Sequence, residues 1–384
     1  MENFLRTVKA VRVAFPDGSE AVMESSLNMV CALAIVRGVS SVSGLTHLAT
    51  CSVSLEEWEA ASRIINLKLC SGNRPIVMFD VLRITRDSKY ALFVQESLSS
   101  MRSWTEISGI VNSTFLGHVL ELSVDSFGCR VIQKLIEIAS LEDVLKMVHP
   151  ELSGKIIDCA MDVNGNHVVQ KLIDILPSEE CQFIVNAILE DQGITLRRLC
   201  AHCFGCRVVQ RIVSRCHSVQ TEPVLEALCS DPALIGTLSA DAFGNYVVQH
   251  ALEYGRPIDR ERIIVCLATM DAVGLCCCKF ASNVIEKAIR IQNKPSLSTP
   301  NSVLVIRLLI GSLVAIQPNG ESAIIALMKD RFGNYITRAI VELTNPEVAM
   351  EVQQVTRLIV KNAASLKKFT FSWHLVERLA KRGL

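Results

Sequence analysis

A 12-residue pattern recurs six times in this chain, and it constrains the fold more than any other feature of the sequence. The steps between successive copies are 37, 40, 39, 37 and 52 residues. A period of about 40 residues without strand signals indicates stacked helical units, each of which completes its core against its neighbours. The copies begin at residues 126, 163, 203, 242, 279 and 331, as SFGCRVIQKLIE, VNGNHVVQKLID, CFGCRVVQRIVS, AFGNYVVQHALE, KFASNVIEKAIR and RFGNYITRAIVE.

Each unit is predicted to contain an apolar helix, a short turn and a second helix, which is formed by the copy of the pattern. The first helix is exemplified by VLKMVHPELSGKIIDCAM, residues 144–161, which contains an internal break. Asp and Gly often occupy the turn, and Asp suits a helix start because its carboxylate accepts hydrogen bonds from unpaired backbone N–H groups. Examples are Asp162 with Gly165, Asp241 with Gly244, and Asp330 with Gly333.

Each second helix carries a polar trio, at positions i, i+1 and i+4, which falls on one side of the helix, while apolar residues occupy the other. We therefore expect all three members to point out of the stack. They are nearly always an amide, thiol or hydroxyl, then a ring or Arg, then Gln or Glu, which an ordinary solvated helix face does not explain. The trios are Cys129, Arg130 and Gln133; Asn166, His167 and Gln170; Cys206, Arg207 and Gln210; Asn245, Tyr246 and Gln249; Ser282, Asn283 and Glu286; Asn334, Tyr335 and Arg338.

The chemistry of a trio suits recognition of one unstacked base of single-stranded RNA. Amides pair with the Watson–Crick edge, and the residue between them stacks on the ring. Uracil offers an acceptor and a donor, guanine offers two donors and so requires a carboxylate, and adenine suits one Gln with a small neighbour. The pairs are Asn166–Gln170 and Asn245–Gln249 for uracil, Ser282–Glu286 for guanine, and Cys129–Gln133 and Cys206–Gln210 for adenine.

The chain resembles the RNA-binding domain of the Pumilio (PUF) family. The pentads CRVIQ, NHVVQ, CRVVQ, NYVVQ, SNVIE and NYITR match family repeats three to eight in order, and YGRPIDRERI adds specificity beyond them. SWHLVERLAKR near the end is similar to the family's C-terminal capping half-repeat. Two weaker copies upstream are similar to repeats one and two, with Ser62, Arg63 and Asn66 in the first, and Ala91, Leu92 and Gln95 in the second.

This resemblance implies an all-α fold, a crescent-shaped, right-handed superhelical α-solenoid of eight Pumilio repeats over residues 46–384, after an N-terminal extension, residues 1–45. RNA would lie antiparallel on the concave face, with repeat eight at the 5′ base. The expected site is a pyrimidine followed by GUAUA, close to the UGUA-headed elements of mRNA 3′ untranslated regions. Family members mostly repress translation or promote mRNA decay by recruiting effector proteins. They do so without catalysis, and we expect no enzyme activity and no cofactor.

Several positions depart from the family pattern. Repeat two lacks the amide and the ring of a trio, and its Gln95 lies only 29 residues after Asn66, so we expect a trimmed repeat with weak base recognition. Asn66 is shorter than the usual Gln, and Arg338 stands in repeat eight where Gln is usual. The segment IQNKPSLSTPNS is longer than the family norm and is predicted to be an exposed loop. In relatives this junction docks partners, so residues 291–303 are the candidate effector site.

The N-terminal extension shows no clear resemblance. VRVAFPDGSEAVM is compatible with a hairpin around Pro-Asp-Gly or with an irregular cap, and both alternatives stay open. The chain begins without a signal-peptide pattern, and its apolar runs are too short to span a bilayer. The 15 cysteines are therefore expected to be reduced thiols of an intracellular, cytoplasmic protein. We also expect the chain to be a monomer.

CAHCFGC places Cys200, Cys203 and Cys206 near His202, but no fourth cysteine follows in the context of an iron–sulfur site, so we expect no metal.

Two other functions remain open for the repeats. One is a PUF-like protein of ribosome biogenesis that grips structured RNA by shape. Six intact pentads and a net charge of zero count against it. The other is a protein-binding scaffold of the armadillo or HEAT kind, which the regular trios disfavour.

Overall fold

The computed structural model describes residues 10–14, 20–24, 53–54, 91–100 and 111–381, apart from 298 and 319, together with single positions between 82 and 108. It comprises two compact units, which are residues 1–159 with 163–175, and residues 160–162 with 176–384. Each is a stack of helices, and the prediction of an all-α solenoid is confirmed over the repeats. The predicted site residues Ser62, Arg63 and Asn66 lie outside the described residues.

A three-stranded sheet precedes the repeats, in the order β2-β1-β3. β1 and β2 pair antiparallel, so the hairpin alternative for VRVAFPDGSEAVM is confirmed. The sheet is an addition that the all-α prediction did not include. It contains residues on both sides of position 45, and the division into 1–45 and 46–384 stays a prediction. The strands are β1 Ala10–Ala14, β2 Glu20–Glu24 and β3 Val53–Ser54.

Helices follow one another through the described repeats, and each repeat from four to eight contains three. Repeats two and three contribute α1 Ala91–Ser100, α2 Val119–Ser123 and α3 Gly128–Ile138. Repeats four to six contribute α4 Leu141–Leu152, α5 Ile156–Met161, α6 Gly165–Ile175, α7 Gln182–Leu189, α8 Ile194–Cys200, α9 Gly205–Arg215, α10 Ser218–Cys229, α11 Pro232–Ala240 and α12 Gly244–Tyr254. The remainder are α13 Pro257–Thr269, α14 Ala272–Cys276, α15 Ala281–Arg290, α16 Pro300–Val314, α17 Ala323–Lys329, α18 Gly333–Val341, α19 Ala349–Lys361, α20 Ala363–Leu366 and α21 Thr370–Lys381.

The expectation of two helices per unit was too simple, because the first predicted helix is divided in two. In VLKMVHPELSGKIIDCAM the break is a 3-10 turn, Ser153–Lys155, between α4 and α5. In repeat five Gly193 has φ +87, a left-handed conformation that favours glycine and separates α7 from α8. In repeat six Asp231 accepts a hydrogen bond from the backbone of Ala233 and caps α11. Local turn chemistry at these points interrupts an apolar pattern that is otherwise continuous.

The helices that carry the polar trios, called here the trio helices, pack side by side through their apolar faces. In α12 the residues Val247, Val248, Ala251 and Leu252 are all buried, as predicted. In the first unit α1 contacts α3 and α3 contacts α6; in the second, α9, α12, α15 and α18 contact one another in sequence. Burial of aliphatic side chains contributes about 1.5–3 kcal/mol each. The stack therefore depends on contacts between neighbouring repeats, as repeat proteins generally do.

The turns before the trio helices of repeats three, five, six and eight are each held by a side chain that accepts two backbone hydrogen bonds. Oδ1 of Asp241 accepts from the backbone N–H groups of Phe243 and Gly244 at 2.8 and 2.7 Å. Asp125 and Asp330 accept from the corresponding residues of their own turns. In repeat five the Nδ1 atom of His202 takes this place. The predicted role of Asp at the helix start is thus confirmed for Asp241 and Asp330, and Asp125 has the same role.

The junction between repeats seven and eight is more ordered than the predicted exposed loop. Gln292 is buried, and its Oε1 accepts a hydrogen bond from Oγ of Ser302 at 3.3 Å. Oδ1 of Asn293 accepts from the backbone N–H of Thr344 at 2.9 Å. Only residues 293–296 are exposed among those described between 291 and 297.

Candidate RNA-binding surface

The three members of a polar trio differ in exposure, in the same order in each repeat from three to eight. In repeat six Asn245 is 1% exposed and Tyr246 is 45% exposed, while Gln249 is half-buried. The prediction that all three members point out of the stack was therefore wrong for the first member. The buried first members are Cys129, Asn166, Cys206, Asn245, Ser282 and Asn334. The exposed middle members are Arg130, His167, Arg207, Tyr246, Asn283 and Tyr335.

Helix geometry explains this order. At about 100° per residue, positions i, i+4 and i+1 lie roughly 90°, 130° and 170° from the centre of the apolar face. The first member therefore lies at the edge of the core, the third is intermediate and the middle member faces solvent. A simple division of the helix into two faces hides this gradient.

The buried first members are tethered to their own turn. Nδ2 of Asn245 donates to the carbonyl oxygens of Asp241 and Ala242 at 2.8 and 3.0 Å. Nδ2 of Asn334 donates to those of Asp330 and Arg331 at 3.0 and 2.9 Å. Both amide hydrogens are then committed to the backbone, so each side chain presents only its oxygen as a further acceptor.

The two trios predicted for uracil are preorganised by a hydrogen bond between their amides. Nε2 of Gln249 donates to Oδ1 of Asn245, and Nε2 of Gln170 donates to Oδ1 of Asn166, both at 2.9 Å. The sequence interpretation gave both amides to the base. In the structure the asparagine instead orients the glutamine. In repeat six the second amide hydrogen and Oε1 of Gln249 supply one donor and one acceptor for a base edge, whereas Nε2 of Gln170 also lies 3.3 Å from the backbone oxygen of Asn166 and donates to it.

The two trios with cysteine lack this side-chain acceptor. Burial raises the pKa of the Cys206 thiol, so it stays a small neutral group, and its Sγ lies 3.7 Å from the carbonyl oxygen of Cys203. Gln210 is buried, and its Nε2 has no hydrogen-bond partner among the described residues. In repeat three Nε2 of Gln133 donates instead to the backbone oxygen of Cys129. Buried polar groups are normally paired, so Gln210 carries unused donor capacity.

Asn283 and Glu286 of the repeat-seven trio line an open depression of about 350 Å³ between α12 and α15. Oγ of Ser282 donates to the carbonyl oxygen of Lys279, which keeps the first member at the edge of the core. Glu286 is half-buried and is the one carboxylate among the third members. The depression is lined by Tyr246, Gln249, Asn283, Glu286, Lys287 and Arg290.

Sequence reasoning missed an ion-pair network around Glu286. Oε1 of Glu286 accepts from Nε of Arg290 at 2.7 Å, and Nη1 of Arg290 donates to Oε2 of Glu342 at 3.1 Å. The other oxygen of Glu342 accepts from Arg378 of α21 at 2.8 Å. Burial opposes the charge of Arg290, but its two carboxylate partners outweigh this and raise its pKa. The four-residue spacing of opposite charges at Glu286 and Arg290 was the available signal.

In repeat eight Arg338 occupies the third position, and its guanidinium carbon lies 5.8 Å from the centre of the Tyr335 ring. A similar cation–π contact joins Arg207 to Tyr246, the middle members of repeats five and six, at 5.5 Å. Flat and cationic groups thus lie together along the exposed positions of the second unit, as stacking on bases requires.

Repeat two is confirmed to lack a complete trio. Ala91 is buried and Leu92 is exposed at the start of α1. Nε2 of Gln95 donates to the backbone oxygen of Ala91 at 3.0 Å. Of the predicted base-contacting residues of this repeat, only Gln95 can form a polar contact with a base.

The described residues contain no group of three or more His, Cys, Asp or Glu side chains that could hold a metal ion. Cys200 and Cys206 are buried, whereas Cys203 is exposed. No helix in the described part of the chain combines the length and apolarity that a bilayer span requires.

The trio has a buried first position, an exposed second position and a third position that is half-buried in all but repeat five. Repeated along neighbouring helices, it defines a helical-repeat protein with a modular binding surface. The model of the Pumilio-family RNA-binding repeat matches residues 118–149, 155–189, 197–229, 235–267, 271–291 and 323–347. These matches correspond to repeats three to eight.

Curated relatives agree with this match. The chain is 31% identical over 240 residues to Pumilio domain-containing protein C6G9.14 of Schizosaccharomyces pombe, with 62% of this chain and 32% of that protein covered. It is 31% identical over 172 residues to Pumilio homology domain family member 4 of Saccharomyces cerevisiae, with 44% and 17% covered. The aligned part is thus about a third or less of these relatives' own length.

Solved structures show the same fold. PUF-8 in complex with PBE-RNA superposes with a TM-score of 0.69 at 23% identity, over 94% of this chain and 96% of that one. The Puf4 RNA-binding domain bound to a recognition sequence of the HO endonuclease RNA 3′ UTR gives 0.60 at 26% identity, over 73% and 80%. The chain belongs to the Pumilio family of RNA-binding repeat proteins. Pumilio-domain proteins bind RNA and are not enzymes.

Proposed function

We propose that this protein binds single-stranded mRNA sequence-specifically, one base per complete trio, and controls translation or decay of the bound message. The observation that carries the proposal is the repeated trio geometry, with a tethered first member, an exposed middle member and a third member that is half-buried in repeats three to eight except repeat five. This arrangement offers a stacking surface beside oriented donors and acceptors. The family of the chain and the RNA complexes of PUF-8 and Puf4 support it.

The preferred sequence follows from the polar groups of each trio. The carboxylate of Glu286 accepts from the two donors of guanine. The amides of Gln249 and Gln170 each offer a donor and an acceptor to uracil. Gln133 and Gln210 form hydrogen bonds with adenine. With repeat eight at the 5′ base, the proposed core is (U/C)GUAUA, within 3′ untranslated regions.

In-vitro selection of RNA against the purified chain tests this function. The expected result is enrichment of a GUA-containing single-stranded motif. This motif should then bind the chain with no other protein present, as measured by fluorescence polarisation. Enrichment of stem-loop RNA without a shared sequence would favour the ribosome-biogenesis alternative. Failure to retain any RNA would favour the protein-binding scaffold, and either outcome would overturn the proposal.

Repeat two is expected to be nearly indifferent to its base, because Gln95 alone can pair with a base edge. Substituting the base opposite repeat two should cost much less than the roughly 1–3 kcal/mol expected for a bidentate base contact. The measurement is a set of four RNAs that differ only at this base, with the guanine opposite repeat seven varied as the reference. A penalty as large as the guanine penalty would contradict the prediction.

Repeat eight is expected to accept cytosine at least as well as uracil. Arg338 only donates, and cytosine offers it two acceptors, N3 and O2. The sequence interpretation allowed the Asn334 amide to turn either way, but in the structure its hydrogens are used by the backbone. Its oxygen can still accept from the cytosine N4 amine or from the uracil N3–H.

Binding of CGUAUA-type and UGUAUA-type RNA at one salt concentration checks this prediction, because phosphate contacts make affinity salt-dependent. Arg338→Gln should restore preference for uracil. A wild-type preference for uracil of about tenfold or more (about 1.4 kcal/mol) would show that Arg338 does not recognise this base.

Effector proteins are proposed to dock at residues 291–303, where residues 293–296 are exposed. The protein is further proposed to act in the cytoplasm as a monomer. Alanine substitution of Lys294 and Ser296, followed by affinity purification from cells, tests the docking site, and fractionation of cells that contain the wild-type protein tests the location. Unchanged partner recovery would reject this docking site, and a purely nuclear pool would reject the location.

A further inference from the structure

Arg290 is the one basic residue at its position among repeats three to eight. It follows the third member of its trio by four residues, one turn along the same face of the helix. Repeats three, four, six and eight carry an acidic residue there, and repeat five carries Ser. The residues at this position are Glu137, Asp174, Ser214, Glu253, Arg290 and Glu342.

The reversal coincides with the one acidic third member of the described trios. Where the third member of the trio is Gln, the residue one turn later is acidic or Ser. Glu286 is followed one turn later by Arg290, and Arg338 is followed one turn later by Glu342. The charge one turn later is therefore opposite to that of the third member in both repeats with a charged one. A solvated helix face would not require this correspondence.

The contact between Arg290 and Glu286 is direct. Nε of Arg290 donates to Oε1 of Glu286 at 2.7 Å, and the carboxylate is about 25% exposed. Oε2 of Glu286 accepts no hydrogen bond from the described residues. One oxygen is thus held by the protein, and the side chain that carries both oxygens lines the depression.

Arg290 is held in turn from the other side. Its Nη1 donates to Glu342, which also accepts from Arg378 of the C-terminal helix α21. Glu342 is partly buried, which alone would raise its pKa, but hydrogen bonds from Arg378 and Arg290 lower it. The guanidinium is therefore fixed between two carboxylates, and it partly offsets a negative charge that would otherwise oppose RNA phosphates.

We propose that Arg290 is a positioning residue that holds the Glu286 carboxylate towards the base and thereby sets the preference of repeat seven for guanine. This inference deepens the proposed function and rests on it. Arg290 acts through Glu286 and need not touch the RNA.

The test compares base discrimination in Arg290→Gln and Arg290→Lys with that of the wild-type chain. Discrimination between guanine and adenine opposite repeat seven should fall about tenfold in Arg290→Gln. In Arg290→Lys the discrimination between guanine and adenine should be intermediate, because lysine keeps the positive charge but lacks the fixed Nε–H. Discrimination between uracil and cytosine opposite repeat six should change by less than about twofold.

The matched control is Lys381→Gln, which removes an exposed pair with Glu377 of the same four-residue spacing, at 2.9 Å, in α21. It should leave both discriminations unchanged. Guanine discrimination retained within about twofold in Arg290→Gln would overturn the inference, and so would an equal fall at both bases, which indicates a structural role. A wild-type chain with no guanine preference would overturn the proposed function itself.

Discussion

Replacing Ser282 by Asn and Glu286 by Gln should change the preferred base opposite repeat seven from guanine to uracil. The carbonyls of Cys278 and Lys279 lie at the spacing that Asn245 uses in repeat six, so the new asparagine can be tethered to them. The new glutamine can donate to its oxygen and present one donor and one acceptor. The expected change is about 1–3 kcal/mol in relative affinity, as for other bidentate base contacts.

Fluorescence polarisation with four RNAs that differ only at this base measures the effect. The single variant Glu286→Gln is the matched control, because it removes the carboxylate without supplying the asparagine, and it should lose guanine preference without gaining a full preference for uracil. A double variant that still prefers guanine would show that Glu286 does not contact this base.

Gly244→Ala should lower the free energy of unfolding by about 1–3 kcal/mol, the usual cost of overpacking a closely packed site. A Cβ at Gly244 would lie 2.9 Å from the carbonyl oxygen and 2.8 Å from Cδ2 of Leu238 in α11. The start of α12 therefore approaches α11 too closely for a side chain. Urea unfolding followed by far-ultraviolet circular dichroism gives the midpoint and its change.

Gly311→Ala is the matched control for this substitution. Gly311 lies inside α16, and a Cβ added there would meet no atom of a neighbouring element within 4 Å. Alanine there should raise the free energy of unfolding by about 0.5–1 kcal/mol, because glycine costs that much in a helix interior. Equal effects of the two substitutions would contradict the packing explanation.

The repeat period and the apolar spacing were sufficient to predict the helical stack and the trio helices. Val247, Val248, Ala251 and Leu252 are buried because the pattern and the helix share one period. Exposed Tyr246 followed from the same periodicity. The helical stack and the trio helices depend on the sequence within each repeat and on contact with similar repeats, so the sequence of one repeat already contains the pattern that predicts them.

What the sequence did not predict depends on interactions beyond a helical pattern. The division between α4 and α5 comes from a local 3-10 turn, and the burial of Asn245 comes from its position at the edge of the core. The orientation of the asparagine amides depends on turn carbonyls whose positions only the fold defines. The link from Glu286 to Arg378 joins residues far apart in the chain, where no periodicity operates.

The tethering of each first member to its own turn has a consequence for how such a surface changes during evolution. Asn245 and Asn334 satisfy their amide hydrogens within four residues of themselves. A substitution at one trio therefore leaves the polar groups of the other turns satisfied, and new base preferences can arise one position at a time by point mutation. Repeat seven differs in that altering Glu286 changes its base preference but also leaves Arg290 and Glu342 with a changed balance of charge, which substitutions outside the trio would restore.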